Sequence, residues 1–95
     1  MIKDFPEKQI RNAILNKVDP KITHKKSKHW KGSIYLNNKL ISKVKIPNDH
    51  PRIMKEKKSK YIAVNLCLDN DQFNELIVCT MRGPEYYQIQ KSLGH

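Results

Sequence analysis

The sequence predicts a two-layer α+β sandwich with the element order α-β-β-β-α and an additional C-terminal helix. Three observations predict this fold: an apolar stripe of helical period near the N-terminus, three strand-like runs between residues 21 and 46, and a return to helical spacing after residue 59. A sheet on one side and helices on the other share one core. The 95 residues are enough for one domain, which we expect to span residues 1–95.

The first helix is predicted to begin at Asp4-Phe-Pro-Glu7. There Asp4 can cap the free amides, the proline suits the first turn, and Glu7 takes the capping-box position. The helix is predicted to end near Asp19-Pro20. Its apolar stripe, which recurs every four positions, consists of Ile10, Ile14 and Val18.

The predicted strands cover residues 21–26, 32–37 and 40–46. Asn37-Asn38 is predicted to form a tight hairpin between the last two, because asparagine tolerates a positive φ. Alternation along the strands predicts one apolar face that receives the helices and an opposite face whose lysines can meet a ligand. The apolar face is predicted to hold Ile34, Leu36, Leu40, Val44 and Ile46, and the opposite face Ile41, Lys43 and Lys45.

The C-terminal third of the chain is predicted to be helical. Ser59 is the predicted N-cap of a helix ending near Leu68, and Asp69 or Asn70 is the predicted N-cap of the next. Gly83-Pro84-Glu85 is typical of a helix start, and the helix it opens can pack on the domain or on a partner. The apolar residues of the middle helix are Phe73, Leu76 and Ile77.

The net charge of +10 is concentrated in one segment. Residues 1–16 carry a net charge of +1, residues 17–60 carry +11 and residues 61–95 carry −2. A pI near 9.8 with the excess in one segment is typical of a protein that binds a polyanion. The alternative is a solvated lysine surface that only aids solubility. Membrane-surface binding is disfavoured, because the lysine-rich segment is strand-like and is not an amphipathic helix.

Cysteine and histidine spacing predicts neither a disulfide framework nor a metal site. Cys67 and Cys79 are too far apart for a CxxC pair, and we expect two reduced thiols with Cys67 in an apolar helix core. We expect no cofactor and no metal. The sequence has neither an apolar run of about 18 residues nor an apolar signal-peptide core, so we expect a cytoplasmic protein.

Residues 23–31 form the densest candidate site. His29, with His24 as a second candidate, can transfer protons at an RNA phosphodiester, where the 2′-OH is an internal nucleophile. Trp30 can stack on an unpaired base, and lysines can hold the phosphate. Alternatively, the histidines make plain contacts and Trp30 is a half-buried strand aromatic. The predicted RNA-binding residues are Lys25, Lys26, Lys28, Trp30, Lys31, Lys43, Lys45, Lys57 and Lys58.

Three segments, taken in order, resemble the HicA toxin family of small mRNA interferases, which have a double-stranded-RNA-binding-domain-like fold. Lys26-Ser27-Lys28-His29 is similar to the family's Lys-Gly-Ser-His run, and Pro47-Asn48-Asp49-His50 to its Pro-x-His loop with one extra residue. Lys58-Ser59 stands where the family has a Gly-Thr helix start, and Ile62, Leu66, Leu68 and Phe73 follow at matching places. The resemblance covers residues 10–77 and leaves 78–95 as a predicted extension.

The resemblance implies a metal-independent endoribonuclease, the toxin of a type II toxin–antitoxin system, with His29 as its catalytic histidine. It also implies a HicB-like antitoxin bound over the basic face. Ser27 and Lys28 replace the family's glycine and serine, and Lys58 replaces its helix-start glycine. Two other hypotheses stand beside it. One is a non-catalytic RNA-binding module of the same fold. The other is a protein-interaction or regulatory DNA-binding protein that uses residues 59–77, and the acidic second helix disfavours its DNA-binding form.

Overall fold

The computed structural model describes residues 2–26, 29–47, 49–78 and 81–94, and for residues 24–26 and 29 it describes the backbone alone. Within these residues, helices pack against one side of an antiparallel three-stranded sheet, which confirms the predicted α+β class. In these residues no helix is long and apolar enough to cross a membrane. In chain order the elements are α1 (Glu7–Ala13), continued by a π-helical turn (Ile14–Val18), β1 (Lys21–Lys26), β2 (His29–Leu36), β3 (Lys39–Ile46), α2 (Glu56–Asn65), α3 (Asn70–Ile77) and α4 (Gly83–Ser92).

The sheet has the strand order β1-β2-β3, and each strand pairs with the next in sequence. The turn between β2 and β3 lies at Asn37-Asn38, as predicted, with φ of 54° and 65°. Positive φ at both central residues is what a two-residue hairpin needs to match the twist of its strands. β2 begins at His29, earlier than the predicted residue 32, because its first residues continue the pairing with β1 as far as Lys26.

One face of the sheet packs against the helices, and a β-bulge decides which residues of β3 reach it. Val44 and Ile46 are buried there, as predicted. The prediction for Leu40 is wrong: it is 45% exposed and pairs with Tyr35 on the other face. The pairing shifts by one residue between Ile34 and Tyr35, and such a shift exchanges the two faces of a strand. Ile41, predicted on the lysine face, packs half-buried against the core.

The N-terminus of α1 is capped by a loop rather than by its own side chains. The predicted Asp4 cap is wrong: Pro6 is the N-cap residue and no side chain caps the helix. The Glu7 amide donates to the Arg52 carbonyl and the Lys8 amide to the His50 carbonyl, both at 2.8 Å. The loop that joins β3 to α2 therefore satisfies amides that a helix start leaves free. At the other end the π-helical turn stops before Asp19, which confirms the predicted end near Asp19-Pro20. The φ of Asp19 is 51°.

Both ends of α2 differ from the prediction, whereas the start of α3 agrees with it. α2 begins at Glu56, so Ser59 is a fully buried helix residue and not an N-cap. It ends at Asn65 rather than near Leu68, and Cys67 lies half-buried in the following turn at a φ of 59°, not in a helix core. The capping box that opens α3 at Asp69 confirms the prediction there.

The last helix packs on the body of the domain. Tyr86 is fully buried and its hydroxyl donates to the Leu66 carbonyl at 2.9 Å. Burial raises the pKa of Tyr86 above its ordinary value. Gly83 sits so close to the π-helical turn that a Cβ there would lie 2.5 Å from the Lys17 carbonyl oxygen. Residues 81–94 thus contribute to the same core as the sheet.

Candidate nucleic-acid interface

The face of the sheet that points away from the helices is open and basic. Strand alternation puts buried residues such as Ile34 and Val44 against the helices, and their neighbours on the opposite side. Among the side chains that the structure describes, four lysines lie there, all exposed, and residues 21–46 contain no aspartate or glutamate. We define the open face as Lys21, Lys31, Ser33, Tyr35, Leu40, Lys43 and Lys45.

The register arranges these lysines in two rows across the strands. Lys31 of β2 lies directly opposite Lys45 of β3. In the next row Ser33 pairs with Lys21 on one side and with Lys43 on the other. Like charges placed directly opposite on neighbouring strands destabilise a sheet. The fold therefore maintains an unfavourable concentration of positive charge, which a bound anion would relieve.

Buried Ser33 shows how these rows are packed. Its side chain is on the centre strand of the open face, yet the residue is only 2% exposed. Lysine stems commonly lie along a surface while the ammonium group stays in water. Ser33 is flanked by Lys21 and Lys43 in this row, and the Cα atoms of these two lysines are about two strand spacings, or ~10 Å, apart.

A shallow cleft of ≈ 850 Å³ continues from the open face to α2, and its lining is drawn from all three strands and from that helix. α2 is held beside β3 by a hydrogen bond from the Ser42 hydroxyl to the Asn65 carbonyl. Tyr61, on the same helix, is 61% exposed and contributes to the lining. The polar and charged residues that line the cleft are Thr23, Lys31, Lys43, Lys45, Tyr61 and Asn65.

Trp30 lies on the helix side of the sheet, apart from the open-face lysines with which we predicted it would act. It pairs with Ile46, a buried residue of the helix side, and packs half-buried against the core. The Arg11 guanidinium carbon lies 4.4 Å from the centre of the tryptophan ring, and its Nη1 donates to the Pro47 carbonyl at 3.1 Å. Strand alternation accounts for this position, because Trp30 and Lys31 are adjacent in one strand and so face opposite sides.

Lys57 and Lys58 are exposed near the start of α2. They lie in the helix layer and therefore do not belong to the open face. Positive side chains at this position add to the positive end of the helix dipole, so the start of α2 is a second, separate concentration of positive charge.

The predicted catalytic histidines are placed by their backbone only. His29 pairs with Lys26 at the end of the β1–β2 ladder, and His24 pairs with Lys31. The pairing register therefore assigns His24 to the row that contains Lys31 and Lys45, and His29 to the next row. The side chains of His24, Lys25, Lys26 and His29, and the whole of Lys28, lie outside the described part of the structure.

Sequence reasoning missed Tyr61 and Lys21 as candidate ligand contacts. A signal for Tyr61 was present, since it precedes Ile62 directly and so falls outside the apolar stripe that Ile62 and Leu66 share. An aromatic residue outside that stripe has to lie at the surface. For Lys21 the signal was its position next to Ile22 in a strand, because successive side chains of a strand face opposite sides and Ile22 packs against the core.

Across the part of the chain that the structure describes, no three histidine, cysteine, aspartate or glutamate residues are grouped to hold a metal ion. No protein-family model, curated protein or solved structure matches the chain.

Proposed function

We propose that the protein binds RNA through its open face and cleaves it at His29. The observation that supports binding is the lysine pair Lys31 and Lys45, directly opposite one another on a surface without acidic residues. Phosphates spaced along a nucleic-acid strand neutralise such a surface and release their condensed counterions. Solubility alone does not explain why Lys31 and Lys45 are directly opposite one another, where their repulsion destabilises the sheet.

The distribution of negative charge favours the same surface over the helices. The acidic residues of the C-terminal segment are exposed on or next to α3 and α4: Asp69, Asp71, Glu75 and Glu85. These carboxylates would repel phosphate, which disfavours a DNA-binding role for the α2–α3 pair. Ile62 of α2 and Phe73 of α3 are buried in the core, so both helices already use one face in packing.

The proposed cleavage follows from the resemblance to HicA toxins together with the strand register. His29 takes the proton of a 2′-OH, or gives one to the leaving 5′-oxygen, while the lysines offset the charge of the phosphorane. His24, in the row of Lys31 and Lys45, is the second candidate for proton transfer. This chemistry uses the internal nucleophile of RNA, so DNA of the same sequence would bind and remain intact.

The test is RNA cleavage by the purified protein in excess EDTA, comparing wild type with His29→Ala and His24→Ala. Lys91→Ala is the control, because Lys91 is exposed on α4 and lies outside the segments that carry the resemblance. We expect His29→Ala to lose cleavage and growth arrest on expression, while it retains RNA binding. Equal cleavage and toxicity from His29→Ala would refute the catalytic assignment.

The second candidate function is a non-catalytic RNA-binding module of the same fold, and the same open face favours it. Salt-dependent RNA binding by the wild type, without cleavage in EDTA or in magnesium, would support this function. The resemblance also implies a HicB-like antitoxin as partner. An acidic partner that covers the open face should displace RNA from the wild type, and less effectively from variants that lack Lys31 and Lys45.

A further inference from the structure

We propose that Tyr61 stacks on a nucleobase and that the RNA held on the open face is therefore unpaired where it crosses the cleft. This inference rests on the proposed RNA binding and is independent of cleavage at His29. It identifies the substrate as single-stranded rather than duplex RNA at this point of contact.

Tyr61 is the described aromatic side chain that lines the lysine cleft. Lys31, Lys43 and Lys45 line the same cleft, so phosphate-binding and base-stacking groups meet in one place. At 61% exposure most of the tyrosine surface is available to a ligand. Among the aromatic residues on the sheet, Trp30 lies on the helix side with a guanidinium over its ring. Tyr35 lies on the open face and is 42% exposed, but it does not line the cleft. Tyr61 is therefore the described aromatic side chain placed to stack on a base beside the cleft lysines.

The fold makes little use of the Tyr61 side chain. The next two residues of α2, Ile62 and Ala63, are 3% and 1% exposed and anchor the helix to the core. The Tyr61 backbone carbonyl accepts a hydrogen bond from Asn65 Nδ2 at 2.9 Å, and this contact does not involve the tyrosine ring. Burying an aromatic ring is a large source of stability, and here the ring is held in solvent at the rim of a basic cleft.

Stacking on Tyr61 needs a base whose face is free. In a duplex the bases stack on one another, and a protein meets mainly phosphates, sugars and groove edges. In a single strand each base can turn out and lie on an aromatic ring while the lysines hold the adjacent phosphates. A basic cleft with an aromatic rim thus selects for unpaired RNA.

The experiment measures binding of a fluorescein-labelled ten-nucleotide oligouridine and of a blunt-ended RNA duplex with ten nucleotides in each strand, by anisotropy, in EDTA. The variants are Tyr61→Ala and Tyr61→Phe, and the matched control is Val64→Ala, which truncates a 65%-exposed side chain on the same helix. To prevent cleavage from confusing the readout, each measurement is repeated with 2′-deoxy substitution of the probe.

We expect Tyr61→Ala to bind oligouridine roughly 5- to 150-fold more weakly, the range for loss of one base stack. Tyr61→Phe and Val64→Ala should bind oligouridine like wild type, and none of the variants should alter duplex binding. An oligouridine in which every base is removed should bind wild type and Tyr61→Ala equally.

Two outcomes overturn the inference, and they are distinguishable. If Tyr61→Ala binds oligouridine as tightly as wild type does, with the same salt dependence, the stacking role is wrong and RNA binding by the open face stands. If wild type binds no RNA, or binds the blunt-ended duplex more tightly than oligouridine, single-strand recognition fails, and in the first case the proposed function fails with it.

Discussion

Replacing Lys31 and Lys45 with glutamine removes two positive charges from the centre of the open face and keeps side chains of similar length. Each lysine that neutralises a phosphate of single-stranded RNA contributes about −0.7 to the slope of log affinity against log salt concentration. The four open-face lysines, Lys21, Lys31, Lys43 and Lys45, alone then give wild type a slope of about −2.8 or steeper. The double variant should have a slope that is shallower by about 1.4.

That difference is large enough to measure. Raising the salt concentration from about 50 mM to about 200 mM should lower the RNA affinity of wild type by roughly 50-fold, because it weakens the phosphate contacts of these four lysines. Over the same interval, the affinity advantage of wild type over the double variant should shrink by about sevenfold. Fluorescence anisotropy titrations of oligouridine at four salt concentrations, in EDTA, provide both slopes.

The same double variant should weaken RNA binding without lowering the stability of the folded state. Lys31 and Lys45 are direct cross-strand partners, so removing their repulsion should leave the urea midpoint unchanged or raise it. The control is Lys8→Gln/Lys91→Gln, which removes two exposed lysines from the helix layer and should leave the salt slope close to that of wild type. A double open-face variant whose salt slope equals that of wild type would refute phosphate binding by this face.

Three further predictions concern the fold. Tyr86→Phe removes the hydrogen bond to the Leu66 carbonyl and should lower the free energy of unfolding by about 1 kcal/mol, measured by urea denaturation. Burial raises the pKa of Tyr86 in the folded state. The stability that the neutral hydroxyl contributes is therefore complete below the unfolded-state pKa of about 10 and falls as the pH rises above that value. Wild type should lose more stability than Tyr86→Phe between pH ~8 and ~11. Gly83→Ala brings a methyl group against the Lys17 carbonyl and should cost about 1–3 kcal/mol in the same assay, whereas an unchanged midpoint would show that α4 is not packed there. Asn38→Ala should cost about 1 kcal/mol because of its positive φ, while Asn38→Gly should not destabilise; a thermal melt in which both behave alike would contradict the hairpin geometry.

The elements that sequence reasoning predicted well are those with local causes. The Asn37-Asn38 turn and the Asp69 cap depend on residues within a few positions of each other, so their chemistry can be read along the chain. The predicted Ser59 cap failed because α2 begins earlier, at Glu56. The predicted Asp4 cap failed for a non-local reason. The loop carbonyls of Arg52 and His50 cap α1 from more than 40 residues away, and no local pattern encodes that contact.

The candidate site was predicted in part. Strand alternation sufficed to assign Lys43 and Lys45 to a common face, and the structure places them on the open face with Lys31. Trp30 was grouped with these lysines because it is adjacent to them in sequence, whereas adjacency in a strand means opposite faces. Tyr61 joins the lysines only because α2 packs beside β3, which depends on how helix and sheet fit together.

The sequence by itself determined the α+β class, the order of strands and helices, the hairpin turn and the concentration of positive charge in residues 17–60. These follow from local propensity, from apolar periodicity and from composition, each of which acts over a few residues or over a sum. The tertiary structure alone decided that Leu40 faces outward, that Trp30 lies under Arg11 and that Tyr61 stands at the rim of the lysine cleft. Those outcomes depend on strand register and helix docking, where contacts between distant residues decide among arrangements that local preferences leave nearly equal in free energy.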